Sequence, residues 1–224
     1  MKNAEVAKIY PAGDAAVEIR FGTEMDLATN LAVYRYNRLV SEAHIDGFIE
    51  SVPSYGSLVI YYDPILVDWD SISEKLSQIL RMEVNLIEST PRTIEIGVTY
   101  GGENGTDLPD VAKLHSITET EVVHLHCDRL YRVYMMGFTP GFAYLGELDK
   151  KIITPRLAKP RLAVPAGSIG IAGNQTGIYP IQSPGGWRII GRTKTCLFNP
   201  LVKDPFFLKP GDLVRFIPMP DGIL

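Results

Sequence analysis

The chain has 224 residues, of which 46% are hydrophobic and 21% charged, and its net charge is -4. At about 100–200 residues per domain this allows one large domain or two small ones, and the apolar share excludes disorder as the main state. A weakly acidic balance argues against nucleic acid or an anionic membrane as partner, because phosphate contacts need a basic face.

The first 90 residues read as alternating strand and helix. Residues 15–21 end in apolar–polar alternation, the pattern of a half-buried strand. Residues 26–43 carry Leu27, Leu31, Tyr34, Leu39 and Val40 at near-helical spacing. Residues 57–62 are β-branched and aromatic and stop at Asp63-Pro64. Residues 70–81 place Ile72, Leu76, Ile79 and Leu80 on one helical face, with Asp70 as the expected N-cap. These patterns predict a small α+β domain over residues 1–90, with two helices on one sheet and a linker at 88–92.

The remaining residues, 91–224, read as a β-rich domain. Residues 93–100 alternate, with Ile94, Ile96 and Val98 on one face and Glu95 on the other. Residues 107–115 and 118–127 predict two short helices, the second opened by a Thr118/Glu121 capping box. Residues 131–136 predict a strand. Glycine and proline then dominate, and strand-like pieces recur at 168–172, 178–182, 188–193 and 212–218. Short strands separated by Gly/Pro turns predict a closed or partly closed barrel.

Two segments, 133–146 and 162–187, contain no Asp, Glu, Lys or Arg. The second is long enough to span a bilayer, but its prolines, amides and six glycines forbid the closed hydrogen-bond ladder that hydrocarbon demands. Loops normally carry charge, so these are expected to be covered by the barrel or by another chain. Cations bracket the longer one: Arg156, Lys159 and Arg161 before it, Arg188, Arg192 and Lys194 after it. A neutral, glycine-rich groove flanked by cations suits a carboxylate or phosphate; the same residues also read as ordinary solvated charges. Ser183-Pro184-Gly185-Gly186 forms either a tight turn or an anion-binding nest of N–H groups.

Known catalytic signatures are absent. Lys194-Thr195 follows Thr193 where a P-loop needs glycine, so any nucleotide site is of another kind. Ala166 stands where the nucleophile elbow around Ser168 needs glycine. His124 and His126 are two apart, on different faces of the predicted helix, and no HExxH occurs, so no metal site is expected. A lone histidine such as His126 reads first as a structural hydrogen bonder. Cys127 and Cys196 form no disulfide framework, and the first residues lack a signal-peptide core. A cytoplasmic protein without a membrane span is expected.

Longer motifs carry a resemblance. Gly137-Phe138-Thr139-Pro140-Gly141-Phe142-Ala143-Tyr144-Leu145 is similar to a GFxPGFxYL signature, and residues 165–180 are similar to PAGSVGIAGxQTGxYP. Ser183-Pro184-Gly185-Gly186-Trp187, Ile190-Gly191-Arg192-Thr193, Pro53-Ser54-Tyr55-Gly56-Ser57-Leu58 and His126 ahead of Tyr131-Arg132-Val133-Tyr134 complete it. The chain thereby resembles the family of 5-oxoprolinase B subunits, also called KipI or allophanate hydrolase subunit 1. The resemblance implies an α+β N-terminal domain followed by a cyclophilin-like β-barrel domain.

It also implies a non-autonomous component of an ATP-dependent 5-oxoprolinase, inactive alone and working with the A subunit and a KipA-like C subunit, with ATP used by the complex. On that reading Arg161 and Arg188 hold anionic groups together with the amides of residues 183–186, and His126 orients the site or acts as acid/base. Phe138, Pro140, Gly141, Phe142, Gln175, Tyr179, Ser183, Pro184, Gly185, Gly186 and Trp187 line the substrate or partner groove. Two alternatives follow from the same resemblance: an inhibitor of a sensor histidine kinase, and half of a urea-carboxylase-like carboxyltransferase.

Overall fold

Two aspartates open the helices of the N-terminal residues. Asp26 accepts the Thr29 N–H at 2.9 Å and starts α1 (Leu27–Glu42); Asp68 accepts the Ser71 N–H at 2.8 Å and starts α2 (Trp69–Leu80). The expected cap, Asp70, lies instead inside the first turn of α2. Asp68 has the extended backbone a capping residue needs, and its carboxylate meets the N–H three residues on. The computed structural model describes residues 7–23, 25–82 and 90–220. It divides into two units, Met1–Ser89 and Thr90–Leu224.

In the first unit, β1 (Lys8–Pro11), β2 (Ala16–Arg20), β3 (Phe48–Pro53) and β4 (Ser57–Tyr62) form a sheet in the order β1-β2-β4-β3, with every pair antiparallel. Val17, Ile19, Leu58 and Ile60 from the sheet share one core with Val33 and Val40 of α1 and Ile72, Leu76 and Ile79 of α2. Strands β1 and β3 are absent from the expectation because neither alternates cleanly: Phe48–Pro53 has no fully buried residue.

In the second unit, β5 (Thr93–Tyr100) is followed by α3 (Leu108–His115) and α4 (Glu119–Cys127). Then come β6 (Tyr131–Met136), β7 (Ala143–Gly146), β8 (Arg161–Val164), β9 (Ser168–Ala172), β10 (Gln175–Ile178), β11 (Ser183–Gly185), β12 (Arg188–Arg192) and β13 (Leu213–Pro218). Seven strands close a barrel in the order β10-β7-β6-β13-β5-β12-β9, and β9 pairs with β10 to complete the ring. The β5–β13 pair is parallel. Closure leaves the barrel no open edge. Strand β8 pairs with β11 in a separate two-stranded ribbon.

Alternation along β5 delivers Ile96, Val98 and Tyr100 to the barrel core, where they meet Val133, Leu145, Ile169, Ile178, Ile190 and Phe216. Thr118 accepts the Glu121 N–H at 3.1 Å, the Thr half of the expected capping box. The strand expected at 178–182 lies earlier, at Gln175–Ile178. Gly173, at φ +58°, turns the chain directly from β9 into β10, pairing Gln175 with Ala172. Pro180, lacking an N–H, sits beyond the ladder. Much of the uncharged sequence is thus barrel wall: every residue of Ser168–Ala172 is buried.

Candidate functional site

His126, on α4, is fully buried, with its ring stacked on Phe216 at 4.6 Å between centroids. Nδ1 lies 2.7 Å from the Tyr100 hydroxyl and Nε2 2.9 Å from Thr176 Oγ1. The surrounding bonds assign each proton. Thr176 donates to Gly170 O, so it accepts from His126 Nε2–H. Nδ1 is then the acceptor for the Tyr100 O–H, and Tyr100 in turn accepts the Cys127 thiol proton. A second proton on His126 would break this chain. Burial acts the same way and holds the imidazole pKa down, from 6.5 to about 3. His126 therefore joins α4 to two barrel strands as a neutral ring.

Arg161 lies on β8 and reaches a partner that sequence reading misses. Its Nη2 donates to Asp107 Oδ1 at 2.6 Å, and Asp107 Oδ2 accepts the Ile189 N–H at 2.6 Å. Asp107 stands at the start of α3 but makes no side-chain cap there; both oxygens are spent on Arg161 and β12. Arg161 Nη1 is buried and has no hydrogen-bond partner. Arg188, next to Ile189, has other partners: Nη1 is 3.8 Å from Asp110 Oδ2, and Nε donates to Pro155 O at 3.4 Å.

The expected groove residues divide. Phe142 sits at the centre of an aromatic cluster, edge-to-face with Phe138, Tyr144, Tyr179 and Trp187 at 4.8–5.6 Å. Phe138 itself is 59% exposed and held at φ +67° by the turn that Pro140 and Gly141 complete. Gly185 brings β11 over the ring of Tyr179: a Cβ there would lie 2.3 Å from the phenol oxygen. Through the β8–β11 pairing Gly185 also sits opposite Arg161. Ser183 Oγ is buried without a partner. Burial raises the Tyr179 pKa, while a hydrogen bond with the Trp187 backbone and the cations Arg156 and Arg161 pull it the other way. Gln175 lies on β10, opposite Gly146 and Ala172.

The segment 183–186 is neither the tight turn nor the nest. Residues Ser183–Gly185 are a strand paired with β8, and the Gly186 carbonyl accepts the Leu157 N–H at 2.7 Å. A nest needs a residue of positive φ, and neither Gly185 nor Gly186 has one.

A cavity of about 700 Å³ opens where β12 ends. Thr99, Asn104, Arg192, Thr193, Lys194 and Thr195 are among its lining residues. Among the described residues no three His, Cys, Asp or Glu gather as metal ligands, and no helix is long and apolar enough to cross a membrane.

Residues 7–208 match the family described as carboxyltransferase domain, subdomains C and D. The chain is 40% identical over 220 residues to the B subunit of 5-oxoprolinase from Bacillus subtilis (strain 168), covering 94% of this chain and 92% of that one. It is 42% identical over 219 residues to the B subunit of 5-oxoprolinase from Escherichia coli O157:H7, covering 97% and 98%. The crystal structure of TTHA0988 superposes with a TM-score of 0.79 at 36% identity, over 93% of this chain and 41% of that one.

Proposed function

The chain belongs to the family of 5-oxoprolinase B subunits, and we propose that it serves as the B subunit of an ATP-dependent 5-oxoprolinase. One observation carries this reading: identity of 40% and 42% to two proteins of that name over nearly their whole lengths. The reaction turns 5-oxoproline, ATP and water into glutamate, ADP and phosphate. An unstrained lactam resists water; phosphorylating its carbonyl oxygen creates a leaving group, and the protein then positions reactants and stabilises charge. ATP is consumed by the assembled complex of the A, B and C subunits in the cytoplasm, and this chain alone is inactive. Its barrel is of the cyclophilin-like kind.

Within the site, Arg161 is assigned to the anionic substrate. Asp107 orients its guanidinium, and the unpartnered Nη1 offers a charged donor. Ser183 Oγ, on the strand paired with β8, supplies a neutral donor. Tyr179 and Trp187 pack behind these two side chains in a buried aromatic cluster. Arg188, paired with Asp110, holds a second anionic group at the edge. His126 orients the barrel wall behind the groove, because a buried ring with both nitrogens bonded has no proton to exchange with substrate. Exposed apolar side chains persist in the uncharged stretches, at Phe138, Leu162 and Ile181, and these face the C subunit. The test is glutamate release by the three proteins together.

The match to carboxyltransferase subdomains favours a second reading, half of a urea-carboxylase-like carboxyltransferase. That reading requires carboxybiotin as donor; the oxoprolinase requires none.

A further inference from the structure

We infer that the cavity at the end of β12 binds a phosphoryl-bearing anion with an organic body. Charge points there first. Arg192 and Lys194 line the cavity, no Asp or Glu does, and among the described residues neither cation has an ion-pair partner. Both are exposed, so water screens their mutual repulsion, and an anion between them gains from both charges.

Geometry points the same way. Burial alternates along this segment, Thr193 buried and Arg192 and Lys194 exposed, so the two cations project to one side. Arg192 Nε–H donates to Ala166 O at 2.9 Å, which fixes the guanidinium plane and leaves its terminal amino groups for a ligand. Thr193 donates its hydroxyl proton to Thr195 Oγ1 and accepts the Thr195 N–H, both at 3.1 Å. Thr195 therefore keeps its own O–H to donate. Asn104 and Thr99 add neutral polar groups. A fork, a point charge and several neutral donors around one space match the many acceptor oxygens of a phosphoryl group.

The floor of the cavity is rigid. Gly167, at φ +82°, lies so close to Thr193 that a Cβ would stand 2.2 Å from its carbonyl oxygen. Gly167 N–H donates to Tyr179 O at 2.7 Å and Thr193 N–H to Gly167 O at 2.9 Å. The backbone that carries Thr193 and its neighbours is thereby held in place before a ligand arrives, which lowers the ordering cost of binding. At about 700 Å³ the cavity falls in the range of small-molecule sites and far exceeds a single inorganic anion.

Cys196, exposed and on the cavity lining, supplies a probe that involves no catalytic step. The experiment follows iodoacetamide alkylation of Cys196 by peptide mass, with ADP, ribose 5-phosphate, adenosine and glutarate as separate probes. Half-buried Cys127, outside the lining, serves as internal reference. ADP or ribose 5-phosphate should slow Cys196 labelling by roughly ten-fold at about ten times its Kd, as occupancy by mass action requires. Protection by ADP alone identifies a nucleotide, and protection by both identifies a general phosphate ester. Lys194→Gln and Arg192→Gln should each abolish protection while Cys127 labelling stays unchanged. No protection by either phosphate ester, equal protection by adenosine or glutarate, or protection surviving both substitutions would overturn it. The assay reads occupancy of this cavity and not turnover, so its failure and a failure of glutamate release are distinguishable.

Discussion

Asp107 and Arg161 meet at 2.6 Å although 54 residues separate them, and the same carboxylate takes the Ile189 N–H. One buried side chain thus ties the start of α3 to β12 and to the ribbon strand β8. An amide cannot replace it, because Asn would turn an NH2 group toward one of two donors. Asp107→Asn should destabilise the chain by about 2–3 kcal/mol, below the cost of breaking a fully buried pair because Arg161 is partly exposed. Chemical denaturation checks this; an Asn variant as stable as the parent would show that the second oxygen carries no bond.

Arg161→Ala asks a different question of the same pair. Substrate binding by Nη1 predicts loss of reconstituted activity with the complex still formed, read by glutamate release and by co-elution with the C subunit. Full activity in the Ala variant would remove Arg161 from the site.

His126 makes stability depend on pH. The unfolded ring binds a proton as pH falls through about 6.5, while the folded ring resists until about 3. The unfolded state binds more protons in that window, so this contribution is whole above 6.5 and is lost as pH falls. Between pH about 7.5 and about 5.5 the loss from this one group should be about 1.4 kcal/mol. His126→Gln should lower stability overall yet lack that slope. Parallel denaturation curves at the two pH values decide it; an identical slope in both proteins would mean that the ring titrates normally.

Leu162 is 93% exposed within an uncharged stretch. A partner surface there predicts that Leu162→Asp weakens binding to the C subunit by about ten-fold or more, the effect of a buried interface anchor. The melting temperature of the isolated chain should not move. Unchanged affinity in a binding titration would place the interface elsewhere.

The legible parts of this fold are those with local causes. Alternation marks β5, and Thr118 with its neighbour three residues on marks the start of α4. Strand β3 is hidden because it buries no residue completely, and β10 lies earlier than expected because Gly173 turns the chain directly back from β9. The site is legible only in composition. The aromatic and glycine-rich signature does gather around Phe142 and Tyr179. Asp107 reads in sequence as the opening of a helix, since an aspartate before Leu-Pro has that local meaning, and its true partners lie 54 and 82 residues away. His126 reads first as a structural hydrogen bonder, the resemblance adds an orienting or an acid/base role, and only the positions of Tyr100 and Thr176 distinguish these.

If this chain is an indispensable component of an enzyme that hydrolyses 5-oxoproline, one reconstitution tests it most directly. The chain is combined with the A and C subunits from the same source, 5-oxoproline and ATP are supplied, and glutamate is followed. Glutamate is expected only when all three proteins are present, and none when this chain is left out. Equal glutamate from the A and C subunits alone, or none from the full mixture despite a stable complex, would contradict it.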